Sequence, residues 1–330
     1  MKKVSIKDVA HEAGVSVTTV SHILNHNEKR FSKETITKVL NAKETLGYFP
    51  NKNAQQLRGS KIKLIGVLLP SLTNPFFSTI MQSMDQNKPD DVDLFFLTTT
   101  GKELESNIKQ LVERGMDGLI IGRLIENPEA LDTYLKKRNV PYVVLDQSED
   151  HGFTDIIRTD EEAGGQLAAE HLIRLGHRSL AIIAPYQMMA NMKDRVQGFM
   201  TYCRDYQLSE PLFMQTELSK AGGASIVPAI LESNATAVFA INDEMAIGIM
   251  RGLADRGLSV PADLSVVGYD DIDFARYMIP SLTTIAQPME DIGALALTLI
   301  MKKIQSPDSN PEKVELPNKL VIRETTRQVN

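Results

Sequence analysis

Length, composition and charge limit what this chain can be. It has 330 residues, of which 42% are hydrophobic and 24% are charged, and a single cysteine, Cys203. This length predicts more than one domain, and one cysteine excludes an intrachain disulfide framework, which fits a protein of the reducing cytoplasm. The N-terminus lacks the apolar segment of a signal peptide, and no apolar run approaches the roughly 20 residues of a membrane span.

The net charge of −6 is unevenly distributed along the chain. Residues 1–60 hold ten lysines and arginines against five acidic residues, a balance of +5, which leaves −11 for the rest. Such an asymmetry is expected if only the N-terminal part meets phosphate groups.

The N-terminal stretch VSIKDVAHEAGVSVTTVSHILN, residues 4–25, predicts two short helices at a sharp turn. Ser5 and Asp8 have the spacing of a capping box, Gly14 is expected to end the first helix, and Ser16 to cap the second. The outward side of the second helix is predicted to carry Val17, Thr18, Ser21, His22 and Asn25. These side chains suit base edges and phosphates in a major groove, although an ordinary helical hairpin with a solvated polar side has the same spacing.

A third helix and a short linker are predicted to complete the N-terminal part. Ser32 can cap the helix and Gly47 can end it, with a buried face formed by Ile36, Val39, Leu40 and Leu46. Residues 1–49 would then be a three-helix headpiece. Residues 50–60 have too few apolar side chains for a stable isolated helix. They are either a flexible linker or a hinge helix that folds against DNA, with Leu57 as an apolar wedge in the minor groove and Arg58 beside it.

Beyond residue 61, short apolar runs alternate with helical patterns, which predicts parallel sheets covered by helices. The runs are residues 64–69, 94–97, 118–121, 142–145, 180–184, 237–241 and 264–268. Because this is too much chain for one small sheet, we expect two doubly wound α/β subdomains, residues 61–160 plus 288–320 and residues 161–287 plus 321–330. Binding sites in such sheets lie beyond the carboxyl ends of the strands, where Asn74, Asp146, Asn242 and Asp270 are predicted to stand.

The motif IKDVAHEAGVSVTTVSHILN, followed by GYFPN, GYDD and LTTIAQP, resembles the LacI family of bacterial transcription regulators over essentially the whole chain. The resemblance implies a homodimer on double-stranded operator DNA. It implies base contacts from Val17, Thr18 and His22, and Leu57 as the intercalating leucine. Phosphate contacts are implied for Ser5, Ser16, Thr19, Ser21 and Asn25. The hinge departs from the commoner family pattern, because Gln55 stands where arginine is usual.

The C-terminal part resembles the family's sugar-binding domain and periplasmic ribose-binding proteins, which implies a periplasmic-binding-protein-like core. The resemblance implies three kinds of effector residue. Aromatic rings over the sugar faces would come from Phe76 and Phe77, and a guanidinium fork from Arg195. Polar side chains around the sugar hydroxyls would come from Asn74, Asp146, Asn242, Asp270 and Gln287. Five of these residues also have a structural alternative. The phenylalanines could be core residues, Asn74 could start a plain turn, Asp270 could cap a helix, and Arg195 could pair with Asp194 or Glu217.

A small sugar, ribose or a related pentose, is the effector that the resemblance favours. Met188 and Met189 stand where a purine-binding relative would carry an arginine, which argues against a nucleobase. Sucrose, another sugar or a sugar phosphate remain alternatives, as does a CcpA-like regulator with a phosphoprotein corepressor.

Enzyme and transport functions fit the sequence poorly. It has no Gly-rich phosphate loop, zinc-type cysteine motif or nucleophile elbow, and we expect no catalytic residues, cofactor or metal. His22 and His26 have metal-ligand spacing on a helix but no third ligand nearby. Cys203 is more typical of a packed residue than of a nucleophile. A sugar-transport binding protein would need the same sugar cleft. It would also need a signal peptide and would lack the DNA-binding headpiece, whereas this sequence shows the reverse pattern.

Overall fold

A computed structural model describes residues 4–24, 30–48, 62–99, 103–145, 153 and 155–329. The chain forms two compact units, Met1–Ile62 and Lys63–Asn330. No helix in these described ranges is long and apolar enough to cross a membrane.

The N-terminal unit contains three helices around one small core. They are α1 (Ile6–Ala13), α2 (Val17–Leu24) and α3 (Lys33–Thr45). Local sequence explains their ends: the Asp8 carboxylate accepts from the backbone N–H and the hydroxyl of Ser5, both at 2.7 Å. Gly14 takes the left-handed φ of 66° that ends α1, and the Ser16 hydroxyl accepts from the Thr19 backbone N–H at 3.0 Å.

The core of this unit differs at one position from the predicted buried face of α3. Val39 and Ala42 are fully or almost fully buried, and Ile36 and Leu46 pack beside them. The prediction for Leu40 is wrong, because its side chain is 40% exposed. Leu40 follows directly after the inward-facing Val39, so the helical turn of about 100° per residue points it away from α1 and α2.

The first subdomain of the C-terminal unit is built on a six-stranded sheet. In chain order its strands are β1 (Lys63–Leu69), β2 (Val92–Thr98), β3 (Gly118–Ile121), β4 (Tyr142–Leu145), β5 (Ile156–Thr159) and, from the end of the chain, β11 (Lys313–Leu316). All neighbours pair in parallel, in the spatial order β11-β5-β4-β3-β1-β2. Its helices are α4 (Pro75–Asn87), α5 (Leu104–Glu113), α6 (Pro128–Lys136) and α13 (Met289–Gln305).

The second subdomain has its own six-stranded sheet. Its strands are β6 (Leu180–Pro185), β7 (Leu212–Thr216), β8 (Ala237–Ala240), β9 (Ser265–Asp270), β10 (Thr283–Ala286) and β12 (Lys319–Val321). The spatial order is β12-β10-β9-β8-β6-β7. The helices are α7 (Glu161–Arg174), α8 (Ala190–Asp205), α9 (Lys220–Ser225), α10 (Val227–Glu232), α11 (Asp243–Ala254) and α12 (Asp273–Tyr277).

The predicted fold class is confirmed, with one difference in strand direction. The edge strand β12 runs antiparallel to β10, whereas every other pair is parallel. The link from β11 to β12 has only residues 317 and 318, and it carries the chain directly from one sheet to the other.

Three short segments connect the two subdomains, and they are called the crossovers below. The first is Asp160 between β5 and α7, the second is residues 287–288 between β10 and α13, and the third is residues 317–318 between β11 and β12. Gln287, one of the predicted effector residues, lies in the second crossover and bonds to Asp270.

Candidate DNA-binding and effector sites

The second helix of the headpiece presents the polar side that its sequence predicts. Val20 and Ile23 of α2 are buried at 0% and 1% exposure. Thr18 and His22 are exposed on the opposite side, whereas Val17 is half-buried and packs against the headpiece core. The N-terminal turns of α2 therefore carry accessible hydroxyl and imidazole groups, the chemistry that reads base edges.

The predicted phosphate-contacting residues flank this helix. Ser5 and Ser16 are exposed and occupy the N-cap positions of α1 and α2, and Thr19 and Ser21 are half-buried on α2. The Ser16 and Thr19 hydroxyl oxygens are 2.9 Å apart. Asn25, Leu57 and Arg58, and with them the whole predicted hinge helix, lie outside the described residues.

In the C-terminal unit, the first group of predicted effector residues lies where β1 ends and α4 begins. Asn74 is the N-cap of α4, since its Oδ1 accepts from the Phe76 backbone N–H at 2.9 Å. The Phe76 and Phe77 rings meet edge to face, with centroids 5.0 Å apart. Phe76 is a core residue, 8% exposed and packed in the first subdomain, whereas Phe77 is only partly buried.

The strongest cluster of predicted effector residues joins Arg195, Asp270 and Gln287. Gln287 donates from Nε2 to Asp270 Oδ1 at 2.7 Å, and Arg195 Nη1 lies 3.6 Å from the same oxygen. All three residues are buried, at 3–6% exposure. The structure therefore brings together side chains that lie far apart in the sequence, one each from α8, β9 and the second crossover.

Arg195 is held from several sides. Its Nε and Nη2 donate to Glu161 at 2.6 and 3.1 Å, and Nη1 donates to the backbone carbonyl of Ile241 at 3.0 Å. The guanidinium carbon lies 3.8 Å above the Tyr269 ring. Burial opposes the charge, but the Glu161 carboxylate raises the pKa of Arg195 above its usual value.

Glycines explain why Glu161 and Arg195 meet. A Cβ atom at Gly165 would lie 2.0 Å from the Arg195 carbonyl oxygen, and one at Gly198 would lie 2.0 Å from the Glu162 carbonyl oxygen. Only glycine permits so close an approach of α7 and α8, and this approach places the first residue of α7 beside the guanidinium group.

Asp270 combines strain and burial. Its backbone φ is 109°, a region that favours glycine. Burial raises the pKa of Asp270 to about 7, against the opposing effects of Arg195 and of the hydrogen bond from Gln287. Its side chain bonds to Gln287, and α12 begins after Ile272, so the helix-capping alternative does not describe it.

Asn242 and Asp243 occupy the turn between β8 and α11. Asn242 is 4% exposed and caps α11, its Oδ1 accepting from the Met245 backbone N–H at 2.9 Å. Asp243 is completely buried and accepts from the Thr284 hydroxyl at 2.6 Å and from the Ile272 N–H at 2.9 Å. Burial raises the pKa of Asp243 well above its ordinary range, so this carboxyl group joins α11 to β10 as a structural element.

Three buried neighbours of this cluster are not predicted from the sequence: Glu161, Tyr269 and Thr159. The sequence suggests Asp194 or Glu217 as the partner of Arg195, whereas its counter-ion in the fold is Glu161, 34 positions away. Asp146, predicted for the polar rim, lies outside the described residues.

Two minor expectations concern reactive groups. Cys203 is 1% exposed, and burial raises the pKa of its thiol to about 11, so it is protonated and packed at neutral pH. Within the described ranges, no group of three histidine, cysteine or acidic side chains is placed to hold a metal ion; His26 lies outside them.

Comparison with known proteins identifies both units. Residues 5–51 match bacterial regulatory proteins of the lacI family, and residues 169–326 match a periplasmic binding protein-like domain. The transcriptional repressor PurR of Pasteurella multocida is 33% identical over 98% of this chain and 98% of its own. The DegA regulator of Bacillus subtilis is 31% identical over 99% of both chains.

Solved structures extend the comparison to ligands. A LacI-family regulator from Enterococcus faecium with bound ribose is 38% identical, covers 81% of this chain and all of its own, and has a TM-score of 0.76. A lac repressor dimer bound to operator and an anti-inducer is 32% identical over 99% of this chain and 100% of its own, with a TM-score of 0.80.

Proposed function

The chain belongs to the LacI family of DNA-binding transcription regulators, and we propose that it is a homodimeric repressor of a sugar-utilisation operon whose effector is ribose or a related pentose. It would act in the cytoplasm. The observation that carries the proposal is the Arg195, Asp270 and Gln287 cluster of the C-terminal unit, in a chain whose headpiece presents a polar helix.

The chemistry of this cluster suits a polyhydroxylated ligand. Asp270 accepts hydrogen bonds from sugar hydroxyls, and Gln287 both donates and accepts. Three of the five N–H groups of Arg195 donate to Glu161 and Ile241; those that remain would donate to effector oxygens. Phe77 would cover an apolar sugar face, and Asn74, Asn242 and Asp146 would complete the rim.

The ribose-bound relatives support a pentose over other sugars. A second such structure, from Enterococcus faecalis, is 34% identical and covers 81% of this chain.

The headpiece would read an operator in the manner of helix-turn-helix dimers. Two copies of α2 would enter adjacent major grooves of a pseudo-palindromic site, with Val17, Thr18 and His22 at base edges. Ser5, Ser16, Thr19, Ser21 and Asn25 would contact phosphates and set the register. Leu57, with Arg58 beside it, would open a central base step.

One experiment tests both halves of the proposal. Operator binding is measured by fluorescence anisotropy on fragments from upstream of sugar-utilisation genes, with and without D-ribose, D-xylose, sucrose and ribose 5-phosphate. We expect one palindromic fragment to bind specifically and only a pentose to change its affinity. Specific binding that no pentose alters would refute the effector, and the absence of any specific fragment would refute the repressor.

A further inference from the structure

The Glu161 carboxylate is saturated with hydrogen bonds from its own chain. Its Oε2 accepts from Arg195 Nε at 2.6 Å and from the Tyr269 hydroxyl at 2.5 Å. Its Oε1 accepts from Arg195 Nη2 at 3.1 Å and from the Thr159 hydroxyl at 2.9 Å. Because an ionised carboxylate has about four acceptor sites, and because Glu161 is only 5% exposed, this residue orients its neighbours and does not bind a ligand itself.

The donors to Glu161 connect it to all three crossovers. Thr159 ends β5 at the first crossover, and its single hydroxyl proton is shared between Glu161 Oε1 at 2.9 Å and Gln287 Oε1 of the second crossover at 3.1 Å. The Tyr269 hydroxyl accepts from Nδ2 of Asn318 in the third crossover at 2.9 Å. Asn318 Nδ2 in turn lies 2.8 Å from the Asp160 carbonyl oxygen. One carboxylate therefore stands at the centre of the hydrogen bonds between the segments that join the two subdomains.

A glycine makes this arrangement sterically possible. A Cβ atom at residue 164 would lie 2.1 Å from the Tyr269 hydroxyl oxygen. Gly164 on α7 thus leaves the space through which the hydroxyl reaches both Glu161 and Asn318.

We propose that Glu161 is the positioning residue of the effector site: it holds the Arg195 fork in place and links that orientation to the crossovers, so that effector binding and subdomain arrangement are coupled. This inference rests on the proposed function, because it assumes that Arg195, Asp270 and Gln287 bind the effector. Without Glu161, the guanidinium group would turn to Asp270, only 3.6 Å away, and both groups would be lost to the ligand.

The first test measures D-ribose affinity by calorimetry on the full chain. We expect Glu161→Gln to weaken ribose binding at least about tenfold, as for loss of one partner of a buried charge pair. Glu162→Gln is the matched control, since the next residue of α7 makes the same charge change at an exposed position. Equal affinities for these two variants would overturn the proposal.

A double-mutant cycle separates positioning from a general structural role. If Glu161 acts through Arg195, Glu161→Gln combined with Arg195→Lys weakens ribose binding little more than the worse single change does. Losses that simply multiply would mean that Glu161 affects the site by another route, and the positioning role would be abandoned.

The second test separates affinity from coupling, and it also serves if Glu161→Gln does not fold. Tyr269→Phe keeps the ring beneath Arg195 and removes the hydroxyl that donates to Glu161 and accepts from Asn318 of the third crossover. Thr159→Val removes the hydroxyl that stands between Glu161 and Gln287 of the second crossover. Both variants leave the two Arg195–Glu161 hydrogen bonds in place. We expect ribose affinity within about threefold of wild type, but a response of operator affinity to ribose reduced at least about fivefold, within the usual range of allosteric coupling. An undiminished response in both variants would overturn the link to the crossovers.

Failure of this inference and failure of the proposed function give different results. If the wild-type chain binds no pentose, the proposed function fails and the positioning role with it. If the wild type binds ribose and Glu161→Gln binds it as Glu162→Gln does, only the positioning role fails.

Discussion

Effector affinity should depend on pH through Asp270. Burial raises the pKa of this carboxyl group to about 7, so a substantial part of the free protein carries it protonated at neutral pH. A sugar hydroxyl donates most strongly to the ionised form, because charge-assisted hydrogen bonds are about twice as strong as neutral ones. Ligand binding therefore selects the ionised form and lowers the pKa of Asp270.

The size of the effect follows from the ionised fraction. With a pKa of about 7, roughly one molecule in ten has Asp270 ionised at pH 6, half at pH 7 and nine in ten at pH 8. The apparent ribose affinity should then fall about tenfold from pH 8 to pH 6, which corresponds to about 1.4 kcal/mol. Most of the change should lie below pH 7, and the affinity should level off above pH 8.

The assay is calorimetric titration with D-ribose at pH 6, 7 and 8 at constant ionic strength. Asp270→Asn provides the control, because an amide cannot ionise; it should bind more weakly and with the same affinity at each pH. A wild-type affinity that is flat over this range would refute the role of Asp270. A slope that persists in Asp270→Asn would assign the titration to another group.

Three further predictions separate the roles of neighbouring residues. Phe76→Ala should lower the free energy of unfolding by about 3–5 kcal/mol, as for other buried aromatic rings, whereas Phe77→Ala should lower it less but weaken ribose binding. Thermal unfolding measures the stability and calorimetry the ribose affinity; a larger stability loss in Phe77→Ala and weaker ribose binding in Phe76→Ala would contradict the assignment. Thr18→Ala should change the preferred base at one operator position by about 1–3 kcal/mol in competition binding with sequence variants, while a uniform loss on all sequences would indicate a phosphate contact. Ile279 is 96% exposed, and Tyr277 two residues before it is exposed as well. Because exposed apolar clusters mark contact surfaces, we expect Ile279 at the dimer interface. Ile279→Glu should therefore yield monomers in light scattering, and an intact dimer would exclude this surface.

Structural features that depend on residues close together in the sequence are the ones that the sequence predicts best. The ends of α1 and α2 follow from Ser5, Gly14 and Ser16, whose effects act within four residues. Four-residue runs that are wholly buried, such as Gly118–Ile121, are recognisable as strands from composition alone. Strands of mixed burial, such as Ile156–Thr159 and Lys313–Leu316, lack that signature, and they pair with each other only because the chain returns 157 positions later.

The residues of the candidate effector site also fall into two groups, those that the sequence predicts and those that it does not. Asn74, Asn242 and Asp270 are predictable because they follow recognisable strands, and parallel sheets collect such positions at one edge. Glu161 is not predictable, because nothing in its local sequence distinguishes it from Glu162. Its role arises when Gly165 and Gly198 let α7 and α8 approach closely, a contact that neither helix's periodicity reveals.

The position of the buried charges suggests why the proposed effector site would suit a regulator. Arg195 forms an ion pair with Glu161, the first residue after the first crossover. Arg195 also lies 3.6 Å from Asp270, whose side chain bonds to Gln287 in the second crossover. A ligand that draws on Arg195 and Asp270 must therefore alter hydrogen bonds at the segments that set the subdomain arrangement. Under this proposal, the coupling expected of a repressor would come from the position of Glu161, which pairs with Arg195 and is joined to the crossovers through the Tyr269 and Thr159 hydroxyls.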